Sequence, residues 1–250
     1  RIALDGSESD LPRKPFLGRI GIEGRDDAHF SDPRGIDVDA SGRIHVTDTG
    51  NDRVMVFSAE GKLLKTLKVK RPLMVKVHPK QGSIYVLCAD KKDYRLVKME
   101  SLEKPAVIAE AAFSRGKGRR KRAHPDLLAL DTASAQPVLW VCDGRYSIKK
   151  LVDTGKALED RGNPIREQYN KRGGKSMPAT LSVFDIGFRG QYLLCKGKRY
   201  NLKTGKPEKT SPVDFFRGRD GRLYRAEPIK GNWRNLKVVR YKEDLTKDPY

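Results

Sequence analysis

The chain has 250 residues, enough for a substantial core, and no run of eighteen or more apolar residues, so no transmembrane helix is encoded. Lysine and arginine outnumber aspartate and glutamate 52 to 32; the net charge of +20 favours an anionic partner such as nucleic acid, an acidic polysaccharide or an acidic protein. Cys88, Cys142 and Cys195 form no CxxC pair, and His29, His45, His78 and His124 lack metal-ligand spacing, which excludes the common disulfide frameworks and zinc modules.

In chain order, Arg1–Gly6 reads as a strand, and residues 1–24 as an outer strand or part of a preceding unit. The clearest copy of a repeat follows: Pro33–Asp39, Arg43–Asp48, Arg53–Phe57 and Lys62–Leu67, four short alternating runs separated by Gly, Asn, Asp and Ser turns. Weaker copies read Pro72–His78, Gly82–Cys88 and Tyr94–Met99; Pro125–Asp131, Val138–Asp143 and Ser147–Leu151; Leu181–Asp185 and Gln191–Cys195; and Val213–Phe216, Gly221–Ala226 and Leu236–Tyr241. Residues 242–250 form a polar tail. One four-stranded sheet cannot bury both its faces alone, whereas sheets packed radially around a channel can. On that arrangement Thr47, Cys142, Cys195 and Ala226, with Leu87-Cys88, fall near one position of the second strand, and the cysteines read as small buried hydrophobes.

The stretch Phe30–Asp39, followed by Val46-Thr47-Asp48-Thr49-Gly50-Asn51-Asp52-Arg53-Val54-Met55-Val56-Phe57, resembles an NHL repeat, and Leu17–Gly21 with Gly24 resembles the connection leading into one. The resemblance implies an all-β fold: one β-propeller domain over 1–250, with five to six four-stranded blades, incomplete or closed by an N-terminal strand. In the signature, Asp48 and Asn51 are expected to cap the turn between the second and third strands and Arg53 to reach back across it, all three structural.

Two inserts stand out. Arg115, Lys117, Arg119, Arg120, Lys121 and Arg122 form a Gly-spaced basic loop, and Arg161, Arg166, Lys171, Arg172 and Lys175 lie in a second. Such loops can track phosphates or sulfates, so the expectation is a non-catalytic scaffold binding an anionic polymer or acidic protein, within a larger chain or assembly. Propellers of this family that bind single-stranded RNA make RNA a permitted partner.

The family also includes amidating lyases with three zinc-binding histidines at blade starts, but here those positions hold Arg34, Leu73, Asp126, Ala179 and Val213. Propeller lactonases use a channel Ca²⁺ or Zn²⁺ with carboxylate and Asn ligands. Arg34, Asp126 and Asp214 are therefore the channel-mouth candidates, and no nucleophile motif accompanies them. No enzyme activity and no cofactor are expected. The alternative is a metal-dependent propeller hydrolase or lyase with Ca²⁺ or Zn²⁺ in the channel. With Arg1 as first residue, the reading leans toward an exported protein whose signal was removed upstream.

Overall fold

The computed structural model describes residues 16–19, 21–89, 93–114, 127–132, 135–142, 148–162, 183–186, 192–195, 198–201, 207–208, 216–217, 223–229 and 232–242. The described residues are almost entirely β-strand and turn, with a single 3₁₀ turn at Thr49–Asn51. The first blade pairs β1 (Pro33–Val38), β2 (Ile44–Asp48), β3 (Arg53–Phe57) and β4 (Leu63–Lys68) in chain order. The second contains β5 (Pro72–Val77), β6 (Ile84–Ala89), β7 (Asp93–Met99) and β8 (Val107–Ser114). The third contains β9 (Leu127–Asp131), β10 (Val138–Cys142), β11 (Ile148–Asp153) and β12 (Leu158–Asp160). A fourth sheet pairs β13 (Val183–Ile186), β14 (Tyr192–Cys195), β15 (Lys198–Asn201) and β16 (Pro207–Glu208). The fifth has three strands, β17 (Phe216–Arg217), β18 (Leu223–Ile229) and β19 (Asn232–Tyr241).

Repeated antiparallel sheets of this kind, each meandering in sequence order, are the blades of a β-propeller. The chain divides into two compact units, residues 15–183 and residues 1–14 with 184–250.

Inside the 15–183 unit, alternation along each strand gives every blade two apolar faces. Val54, Val56 and Leu67 of the first blade meet Val75, Val77, Ile84, Val86, Cys88, Val97 and Met99 of the second. The second blade's other face, with Leu73, Tyr85, Leu87, Tyr94, Leu96 and Phe113, meets Leu128, Leu139, Val141 and Leu151 of the third. Cys88 is fully buried with its thiol free, and burial pushes that thiol up to about 12, which keeps it a protonated packing group.

On the other face of the first blade, Val46, Met55 and Phe57 are packed, among the described residues, by Leu17 and Phe30 of an irregular strap, and Phe30 meets the Phe57 ring edge-on. Among the described residues the strap makes an isolated bridge, Glu23 with Phe30. Residues 1–15 and 20 lie outside the described residues.

Candidate active site

Antiparallel pairing sorts the loops of the first three blades into two ends. Pro33, Asp48, Arg53 and Lys68 are register partners in the first blade, as are Pro72, Cys88 and Arg95 in the second and Leu127, Cys142 and Ile148 in the third. This end therefore carries the start of each innermost strand, the turn between second and third strands, and the exit toward the next blade. We call it the strand-start end. The first-to-second-strand turns, such as 39–43 and 78–83, lie at the opposite end.

At the strand-start end of the first blade, Asp48, Asn51 and Arg53 form a clamp. The Asp48 side chain makes no bond to the turn's own amides. It accepts from the Ser31 amide at 2.7 Å, from Asn51 Nδ2 at 2.8 Å and from Arg53 Nε at 2.7 Å. Asn51 also donates to the Gly24 carbonyl, and the two terminal nitrogens of Arg53 donate to the carbonyls of Arg25, Asp26 and His29. Arg53 and Asn51 thus reach back across the turn to Asp48, and all three side chains also tie the strap to the blade. The guanidinium fork suits the task, since it satisfies several carbonyls and a carboxylate at once.

The innermost strands of the first and second blades approach closely here. Gly35 has no side chain, and a Cβ on it would stand 2.7 Å from both the Leu73 carbonyl oxygen and the Met74 Cα. Thr47 Oγ1 accepts the Gly35 amide at 2.6 Å and lies 3.1 Å from the Leu73 carbonyl oxygen, bridging the two strands. Further along, Asp37 accepts from Lys76 Nζ at 3.1 Å and from the Val77 amide at 2.8 Å.

Two backbone outliers mark the same place. Asp32 and Arg71, with φ of 53° and 47°, each stand directly before the proline that opens an innermost strand. Left-handed geometry costs a non-glycine residue roughly 1–3 kcal/mol, least for Asp and Asn. Arg71 is held in it by its amide on Asp52 Oδ1 at 2.7 Å and its carbonyl on the Ala89 amide at 2.9 Å. Arg34, one residue past Pro33, is exposed and bonds Asp32 through Nε at 2.9 Å.

The opposite end is polar but closed. Between the second and third blades, Lys98 Nζ lies 2.7 Å from Asp153, whose other bonds come from the Tyr85 hydroxyl at 2.6 Å and the Gly155 amide. Burial works against the Asp153 charge, but the bonds from Lys98 and Tyr85 outweigh it and hold the carboxyl below its ordinary range. Burial, with the bond to Asp153, pushes the Tyr85 phenol up. Asp39 makes a second such group, accepting from Arg43 and His45, and Arg43 continues to Glu103 of the second blade. All these acidic and phenolic groups except Glu103 are buried, so they bind blades together and meet no solute.

Of the residues singled out in the sequence, Arg34 is at the strand-start end, and Arg161 is exposed and paired with Glu159. Arg115, Lys117, Arg119, Arg120, Lys121, Arg122, Arg166, Lys171, Arg172, Lys175, Asp126 and Asp214 lie outside the described residues. The segments on which the inserts are anchored are described: β8 ends, β9 begins and β12 ends at the strand-start end. Among the described residues no group of three or more His, Cys, Asp or Glu side chains could hold a metal ion. Sequence reasoning missed Arg71 and Thr47. It looked just after the punctuating prolines, while Arg71 stands just before one.

The NHL repeat family matches residues 30–57. No curated protein matches the chain. Among solved structures, XC5397 from Xanthomonas campestris, described as a gluconolactonase, is 18% identical with a TM-score of 0.53, over 79% of this chain and 69% of that one. A protein from Lactobacillus plantarum is 15% identical with a TM-score of 0.53, over 92% and 72%. The dihydro-heme d1 dehydrogenase NirN, solved in complex with DHE, is 13% identical with a TM-score of 0.50, over 88% of this chain and 46% of NirN, so the chain spans under half of that protein.

At these identities the similarity is one of fold, and it corrects the sequence expectation. A non-catalytic scaffold with no enzyme activity and no cofactor was expected, yet the structures sharing this blade fold include a gluconolactonase and a dehydrogenase. A blade pattern in sequence does not by itself separate a scaffold from an enzyme. What the chain can be called rests on its repeat and its sheets: residues 30–57 are an NHL repeat, and the protein that carries it is a β-propeller.

Proposed function

We propose that this protein is a catalytic β-propeller, a hydrolase or lyase that works at the strand-start end on a small carbonyl compound that is anionic or becomes so. Lactone opening is the reaction to test first. The observation that carries the reading is the blade fold shared with a protein described as a gluconolactonase, over 79% of this chain. The net charge of +20 supports it, because an acid product or anionic substrate is drawn to a basic surface. An anionic polymer, RNA included, fits the same charge as a larger substrate.

Opening a lactone needs water at the carbonyl carbon and a positive group near the oxygen that gains charge. At the strand-start end Arg34 is an exposed cation on a firmly held strand. A divalent metal belongs to this reading. The described residues supply no donor set for one, so no step is routed through it; Asp126, directly ahead of β9, and Asp214, two residues ahead of β17, are the donors to test.

Acid release from D-glucono-1,5-lactone and a panel of other lactones, followed by pH-stat with and without Ca²⁺ or Zn²⁺, tests the proposal. The expected result is release well above spontaneous hydrolysis, lost on chelation and in Asp126→Asn or Asp214→Asn. Rates equal to buffer for every lactone and metal would overturn it.

A further inference from the structure

We propose that Arg34 and Arg71 form an oxyanion-binding pair at the strand-start end of the first two blades, recognising a carboxylate or phosphate on a small molecule. The inference deepens the catalytic reading by naming a group its substrate carries, and it is tested by binding alone.

The placement comes from the backbone. Gly35 lets β1 lie against Leu73 and Met74 of β5, so the residues that open the two innermost strands are neighbours. Asp37, bonded to Lys76 and the Val77 amide, holds the same register further along. Arg34 and Arg71 therefore flank one junction, Arg34 just after Pro33 and Arg71 just before Pro72. Of the acidic groups beside the two arginines, Asp32 pairs with Arg34 Nε and Asp52 accepts the Arg71 amide.

The second observation is the backbone at Arg71. The first blade fills the corresponding left-handed position with Asp32, a residue type that tolerates it, whereas the second blade places an arginine there at φ 47°. Glycine or asparagine would suit that backbone better. Among the described residues the bonds of Arg71 are those of its backbone, so the use of an arginine here points to its side chain. An outlier of this kind is a reason to look for function. Guanidinium groups bind planar and tetrahedral oxyanions through paired donors, and here two of them stem from backbone next to one strand junction, Arg34 in β1 and Arg71 in the bend before β5.

The test uses the full chain with arginine side chains ¹⁵N-labelled, titrated separately with D-gluconate and with inorganic phosphate. Saturable 1:1 shifts in the Arg34 and Arg71 Nε signals are expected, and whichever ion binds more tightly names the group. Arg34→Ala and Arg71→Asn should each weaken binding about tenfold or more, as losing a charged hydrogen-bond donor does. Arg71→Asn should melt at the same temperature as the native chain or higher, because it relieves the backbone. Failure of lactone turnover with binding intact would sink the catalytic reading and leave this pair standing. Linear, non-saturating shifts with both ions, or affinity unchanged in both variants, would overturn the pair. So would a drop in melting temperature for Arg71→Asn, which would show that the arginine is kept for structure.

Discussion

The first and second blades share a strand plan and differ in how polar groups secure it. The first is locked at the strand-start end by Asp48, Asn51 and Arg53, which hold the strap that packs on Val46, Met55 and Phe57. At the position of Asp48, the second blade has the apolar Cys88, and both its faces pack on neighbouring blades. Its polar lock, Lys98 with Asp153 and Tyr85, sits at the opposite end and crosses to the third blade. The second blade closes its strand starts by apolar packing, whereas the first ties an irregular strap down through side chains that satisfy the strap's carbonyls.

That contrast can be broken, and the largest effect should come from the second blade. Asp153→Asn leaves the Lys98 ammonium buried without its counter-charge and should cost about 3–5 kcal/mol in denaturant unfolding. The double change Lys98→Met with Asp153→Leu should recover most of that loss, since well-packed apolar pairs often replace buried ion pairs at little cost. Recovery of none of it would show that the Tyr85 and Gly155 bonds dominate.

Arg53→Ala should cost about 3 kcal/mol, by stripping the Asp48 carboxylate and three strap carbonyls of their donor. Its distinguishing sign is local: amide exchange should accelerate over residues 21–31 before the second blade responds. Uniform acceleration would mean that the strap is not a separate element.

The smallest effect is a pH slope. Burial pushes His45 and His78 below their ordinary 6.5, so the unfolded chain takes up protons that the folded one refuses. Stability should therefore begin to fall as pH drops below about 6.5. Asp39 and Asp153 are held below 3.8 against the cost of burial by their partners, so their contribution persists above that pH and is lost as pH falls through their lowered values. His45→Gln should flatten the first stage of a melting-temperature profile and leave the second. A variant with an unaltered first stage would assign that stage to His78.

The fold was legible because strands and turns have local chemistry. Asp48, Asn51 and Arg53 announced the first blade, and alternation with proline punctuation located most strands of the others. Outer strands were harder. Val107–Ser114 reads VIAEAAFS: Ala109, Ala111 and Phe113 face the core, but the apolar Ile108 and Ala112 stand exposed between them and blur the alternation. The strap was legible only as a connection into the repeat, because its order depends on carbonyls that accept from Arg53, 24 to 28 residues away in sequence. The site was least legible. Arg34 stood out by its place after Pro33, but Arg71 carries no signal in sequence, and the close approach at Gly35 is what makes their strand starts neighbours.

Hydrogen exchange on the full chain, with and without saturating D-gluconate, tests most directly whether function resides where the innermost strands begin. The account predicts slowed exchange in residues 31–35 and 70–73, with residues 39–43, 78–83 and 100–106 unchanged. Protection confined to those opposite-end turns, or none at a concentration that inhibits turnover, would contradict it.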